Sequence, residues 1–212
     1  MGQYYDVVIL SENKHSPEVI RLAISPWAFG GGTKLMEHSY MDSNLVNAVE
    51  YLLSKNGMFY CSRLVWAGDY ADEEEGLGFN LFQIVEGDAN EVASANEVAS
   101  ANEAKEKQNY FKNFDYEMKE FRYIVNHIKK QYVDKVAEVE RQTQKSMEGN
   151  NRKSLHYYVH PLPLLVAEGN GRGGGDYYGH NQELCGTWAR DIISVENSIP
   201  DGYNELVCIF AE

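Results

Sequence analysis

The densest group of residues able to do chemistry is AEGNGRGGGDYYG (167–179), where Gly169, Gly171, Gly173, Gly174 and Gly175 fall within seven positions around Arg172. Ordering each glycine costs conformational entropy, so such a run suits a place where backbone closely approaches a ligand. Consecutive glycines can turn their N–H groups toward an anion as a nest, and an arginine adds a planar, bidentate donor for phosphate or carboxylate. Gly171, Arg172, Gly173 and Gly174 are therefore the leading candidates for an anion site, with Tyr177 available to stack on a ligand. A surface loop in which Arg172 pairs with a carboxylate such as Asp176 is the simpler alternative. The loop is not a Walker loop, because no Gly-Lys-Ser/Thr follows it. Gly169, Gly171 and Gly174 formally satisfy G-x-G-x-x-G, but the dinucleotide fingerprint needs a helix next, and DYYGHNQELCG carries no helical stripe.

Other polar groups could meet Arg172 across a cleft. Lys34, Glu37 and His38 follow a second glycine run in GGGTKLMEH, and Asn126, His127, Lys129 and Lys130 follow an apolar stretch. Lys34, His38, His127 and Lys129 thus join the ligand-binding candidates. His160 joins them from the YYVH segment, although its spacing from His156 serves a satisfied core histidine equally well. No HExxH, paired-cysteine or EF-hand pattern is present, so no metal or cofactor is assigned. Glu37 and His38 could still assemble with Asp69, Glu168, Asp176 or Asp191 as a metal-assisted hydrolase. There is no G-x-S-x-G elbow and no cysteine in an evidently electropositive setting, so no catalytic residue is assigned.

The chain has 212 residues, is 43% hydrophobic and 24% charged, and carries a formal net charge of −13. That is enough chain for a substantial core, and the acidity disfavours polymeric nucleic acid as a partner. The carboxylates are scattered apart from EEE at 73–75, which fits a solvated surface better than a nucleic-acid mimic. No membrane span or signal-peptide layout is evident, and Cys61, Cys185 and Cys208 form no disulfide framework. A cytoplasmic setting follows. Fifteen tyrosines suit wet pockets and interfaces, and are compatible with a homodimer.

The elements that must position these groups read as a mixed α+β protein, with a mostly antiparallel sheet and three or so helices. YYDVVIL (4–10), IRLAIS (20–25) and FRYIVNHI (121–128) read as strands. SNLVNAVEYLLSKNG reads as a helix through Leu45, Val46, Val49, Leu52 and Leu53. Helices are also expected across YFKNFDYEMKEF and 131–147. MFYCSRLVWAGDYADEEEGLGFNLFQIV (58–85) reads as two strands around an acidic connection, and LHYYVHPLPLLVAEG as a strand broken by Pro161 and Pro163. TWARDIISVE and NELVCIF read as a closing hairpin. A single domain spans 1–212, with a low-complexity insertion at about 88–108 where NEVASA repeats in tandem. WAGDYADEEEGLGFNLFQI and WARDIISVENSIPDGYNELVCI echo one another, aligning Trp66 with Trp188 and Asp69 with Asp191. A true duplication would imply two related half-domains.

WAGDYAD, YIVNHIKKQYVD, HPLPLLVAEGNGRGGGDY and GTWARDIISVE together resemble an uncharacterised family of bacterial and phage proteins. The resemblance covers most of the chain outside the insertion and implies a source without supplying a mechanism. The expected function is non-enzymatic binding of a small anionic, nucleotide-like ligand, for instance as a phage sponge for a nucleotide immune signal. The alternatives are the metal-assisted hydrolase of a phosphorylated or nucleotide substrate, and an acidic inhibitor of another protein.

Overall fold

The computed structural model describes residues 3–11, 20–87, 121–148, 158–169 and 177–210. Its strands form one sheet. β1 (Tyr5–Leu10) lies between β2 (Ile20–Ile24) and β3 (Ser62–Gly68), antiparallel to both. β3 is followed across the sheet by the last long strand, β7 (Ile192–Glu196), then by β4 (Tyr123–Asn126) and β5 (Gln131–Asp134), all antiparallel. Two short strands pair in parallel: β6 (Ala167–Glu168) with β3, and β8 (Asn204–Glu205) with β5. The fold is α+β with a mostly antiparallel sheet, as the sequence implies.

β1 and β3 are buried at every residue. Both faces of the sheet centre are covered, which is why these strands read as nearly continuous apolar runs. Val7 and Ile9 face a large core with α2 (Asn44–Leu53), which follows the single-turn α1 (Leu35–His38), while Val8 and Leu10 face a smaller one with α3 (Leu81–Glu86). The α2 stripe of Leu45, Val46, Val49, Leu52 and Leu53 is fully inside, each side chain stabilising by up to about 1.5–3 kcal/mol.

Four segments depart from their sequence reading. The second strand expected within 58–85 is instead α3, because Asn80 accepts the Gln83 N–H and the Gln83 side chain accepts the Asn80 N–H. This reciprocal cap outweighs the β-favouring Phe and Ile, and Gly87 ends the helix with φ of 88°. The proline-broken strand is a short helix, α5 (Pro161–Leu165), following α4 (Lys135–Glu148). Pro161 at its first position loses no helical hydrogen bond. The closing hairpin does not form, since β8 leaves β7 and pairs with β5 at the far edge. The 131–147 segment divides into β5 and α4. The echoed segments differ in conformation: Trp66 lies within β3, whereas Trp188 sits in a turn before β7. The NEVASA insertion and the helix expected across YFKNFDYEMKEF lie outside the described residues.

At the end of β3, a Cβ on Gly68 would stand 2.6 Å from the Glu168 carbonyl oxygen and 2.9 Å from the Tyr5 ring. The β3–β6 approach therefore requires glycine. Gly68→Ala is expected to destabilise the protein by about 1–3 kcal/mol, read as a lower urea midpoint; an unchanged midpoint would contradict this packing.

Candidate functional site

Along one edge, β3 changes partner. Ser62 and Arg63 pair with β7, whereas Trp66 and Ala67 pair with β6. Arg190 sits at the change. Its N–H donates to Leu64 O (2.8 Å), and its carbonyl accepts from Arg63 Nη1 (2.7 Å). Its φ is 61°, a left-handed conformation uncommon for a residue with a Cβ. The guanidinium grips Glu168 through Nε (2.7 Å) and Nη2 (2.8 Å), and Glu74 through Nη1 (3.0 Å) and Nη2. Burial opposes the charge on Arg190, but the hydrogen bonds to Glu74 and Glu168 outweigh it and raise the pKa. The side chains remain 17–28% exposed, so breaking the clamp should cost less than the roughly 3–5 kcal/mol of a fully buried pair.

Glu168 is also where the Arg172 loop begins. Gly169 follows it, beside Gly68. Across β3, Tyr5 pairs with Gly68, the Tyr5 N–H donates to Thr33 O (2.8 Å), and Tyr4 bridges Lys34. Both glycine runs singled out by the sequence therefore join the fold at the same end of the sheet. Lys34 and Gly169 are three chain spacings apart, roughly 15 Å at about 4.8 Å each. The short parallel pair β3–β6 has its carboxyl ends here.

The acidic segment between β3 and α3 closes this end. Buried Asn80 donates to the carbonyls of Asp69 and Ala71 (both 3.1 Å), and Asp69 Oδ1 accepts the Tyr4 N–H (3.0 Å). Burial raises the Asp69 pKa, partly offset by its backbone hydrogen bonds. Tyr4 and Tyr70 are each 47% exposed. The Lys34 side chain is 42% exposed, and its ammonium is only loosely paired with Glu37, at 3.8 Å.

The remaining candidates lie elsewhere or serve the fold. Gly171, Arg172, Gly173 and Gly174 are outside the described residues. Tyr177 is buried edge-on to Phe210 and donates its hydroxyl to His180 O. His38 is buried, its Nε2 accepting from Trp66 Nε1 (3.0 Å) and its Nδ1 donating to Gly32 O (2.9 Å). It ties the first glycine run to β3. Burial lowers its pKa to about 4, so it carries no charge near neutrality. His160 is buried in the core, receiving the Leu162 N–H at Nδ1 (3.2 Å) and meeting Glu50 Oε1 through Nε2 (3.1 Å). Burial would raise the Glu50 pKa, but Lys135 and then His160 hold it at about 2. His127 and Lys129 lie in the β4–β5 turn, level with the start of β7, where Lys129 pairs with Asp191 (2.7 Å) and His127 contacts Ser194 and Tyr203.

Arg190, Glu74 and Asn80 were not singled out in the sequence. Only N-x-x-Q-x-x-x-G, the α3 cap signature, was legible for Asn80. No family model, curated protein or solved structure matches the chain. Among the described residues, no group of three His, Cys, Asp or Glu is placed to hold a metal ion, and no helix is long and apolar enough to cross a membrane.

His38 also sets a pH dependence. Its folded pKa of about 4 lies below the ordinary 6.5, so its contribution is complete above about pH 6.5 and is lost as pH falls toward 4. The full loss is about 3 kcal/mol. Glu138, raised by burial to about 7, acts oppositely: its contribution is complete below its ordinary value and is lost as pH rises through 7. His38→Gln keeps a donor and an acceptor but cannot titrate. Comparing urea unfolding of the two proteins at pH 7 and 4.5 should show a smaller acid loss in the variant; equal losses would remove His38 from the acid limb.

Proposed function

We propose that this protein binds a small anionic, nucleotide-like ligand without transforming it, at the sheet end where its two glycine runs attach. The supporting observation is this convergence: Gly30–Lys34, Gly68–Asp69 and Glu168–Gly169 lie side by side, tied by the Tyr4–Lys34 bridge and the Gly68 approach. In this reading Gly171, Arg172, Gly173 and Gly174 grip the phosphate or carboxylate, and Lys34 adds a second positive charge. The exposed rings of Tyr4 and Tyr70 offer stacking faces for a base. A span of roughly 15 Å, at about 4.8 Å per strand spacing, suits a nucleotide.

His38 then acts indirectly, by fastening the first glycine run. His127, Lys129, His160 and Tyr177 are engaged away from the ligand. Arg172 and Lys34 are local positive charges that can admit a compact anion, whereas the net charge of −13 repels a long polyanion. With the family resemblance, this supports a cytoplasmic phage protein that sequesters a nucleotide signal.

The test is incubation with a nucleotide panel, heat denaturation, and chromatography of what is released. Stoichiometric recovery of an intact nucleotide is expected. A chemically changed product, lost on chelation, would instead favour the hydrolase. For the ligand recovered, Arg172→Ala should weaken affinity by about 1.5–3 kcal/mol, the range of a charged hydrogen bond; unchanged affinity would remove the loop from the site.

A further inference from the structure

The turn feeding β3 carries Cys61, which is half-buried, whereas Cys185 and Cys208 are inside the core. Cys61 has φ of 55°, a left-handed conformation that is uncommon with a Cβ and is often associated with functional sites. β3 begins at the next residue. Held in this way, the thiol lies 3.5 Å from His127 Nε2.

The imidazole is oriented from both sides. Its Nε2 is 2.8 Å from Ser194 Oγ, and its Nδ1 is 3.0 Å from the Tyr203 hydroxyl, whose ring meets it edge-on. Ser194 donates its single proton to Glu196 Oε1 (3.1 Å), which also receives the Tyr60 hydroxyl (2.7 Å). An ionised carboxylate only accepts. Ser194 must then accept from His127, which assigns the neutral ring's proton to Nε2 and leaves Nδ1 to receive Tyr203. The Nε2–H is thereby directed between Ser194 and the Cys61 sulfur. A thiol, an imidazole within reach and groups orienting that imidazole are the parts of an activated nucleophile.

We propose that Cys61 and His127 form a nucleophilic thiol site, in which the His127 imidazolium stabilises a Cys61 thiolate that attacks a small uncharged hydroperoxide. The thiol releases its proton to solvent, while the imidazole, whose Nε2 already carries a proton, gains one from solvent at Nδ1, and the Tyr203 oxygen then accepts the Nδ1–H. The thiolate attacks the terminal peroxide oxygen, so an S–O bond forms as the O–O bond breaks. Sulfur loses two electrons and becomes a sulfenic acid. The departing alkoxide or hydroxide takes the imidazolium proton and leaves as alcohol or water.

The substrate class follows from the surroundings. Glu196, 5% exposed and beside the thiol and imidazole, disfavours anionic electrophiles. Partial burial of the thiol favours small ones. An acyl substrate would need donors aimed at a developing oxyanion, whereas a peroxide needs only a proton for its leaving oxygen, which His127 supplies. The charged and titratable groups around the thiol are Tyr60 beside it, His127 from the β4–β5 turn, Glu196 from β7, and Tyr203 before β8. Lys55, after α2, reaches Glu196 at 3.0 Å.

The test follows iodoacetamide alkylation of the intact protein by mass spectrometry between about pH 5 and 9, with Cys185 and Cys208 as internal controls. Cys61 should alkylate first, with a midpoint below the about 8.5 of a free thiol. His127→Asn should slow the reaction at pH 7 about tenfold, corresponding to a midpoint shift of about one unit. Hydrogen peroxide followed by dimedone should label Cys61 alone. A wild-type midpoint at or above that of a free thiol would overturn the proposal however the variant folds. Fast alkylation without a dimedone adduct would overturn the hydroperoxide assignment.

Discussion

One guanidinium holds the place where the central strand changes neighbours. β3 pairs with β7 through its first two residues and with β6 through Trp66 and Ala67, so two separate segments of the chain share one edge. Such a join leaves a gap in the ladder that some other group must bridge. Arg190 does this twice: its backbone bonds Leu64, and its side chain reaches past the gap to Glu168 and Glu74. The left-handed backbone at Arg190 is the local cost of placing both connections in one residue.

The sheet end that hosts the proposed ligand depends on that clamp. Glu168 begins the Arg172 loop, and Glu74 belongs to the acidic segment that Asn80 folds against the end of β3. A single side chain thereby fixes one stem of the loop and one wall beside it. On the far side of β1, His38 does the same for the first glycine run through Gly32 and Trp66. Neither residue needs to touch a ligand to matter for binding. Both set the geometry that ligand-facing groups inherit.

The sequence made the sheet's middle legible because β1, β3 and β4 are apolar runs with polar flanks, and α2 because its stripe has a strict helical period. What it concealed follows from local chemistry that overrode pattern. NLFQIV has the residues of a strand, but Asn80 and Gln83 satisfy each other's backbone donors and turn it into a helix. HPLPLL has prolines that break a strand yet suit a first helical turn. β8 could not be placed from its sequence neighbours, because its partner, β5, lies two strands beyond β7. At the candidate site, Lys34 and the loop stems share one sheet end, which the spacing in sequence left open. His127 and Lys129 sit level with the start of β7 instead, and Arg190 has no motif to announce it.

The central claim is that the two glycine runs form one ligand site. Amide chemical-shift mapping during titration with the nucleotide recovered from the protein tests it most directly. The expected result is perturbation of Gly30–Lys34, Gly68–Asp69 and Glu168–Asp176 together, with the 127–130 turn unmoved. Perturbation centred on 127–130, or confined to one of the two glycine runs, would contradict it.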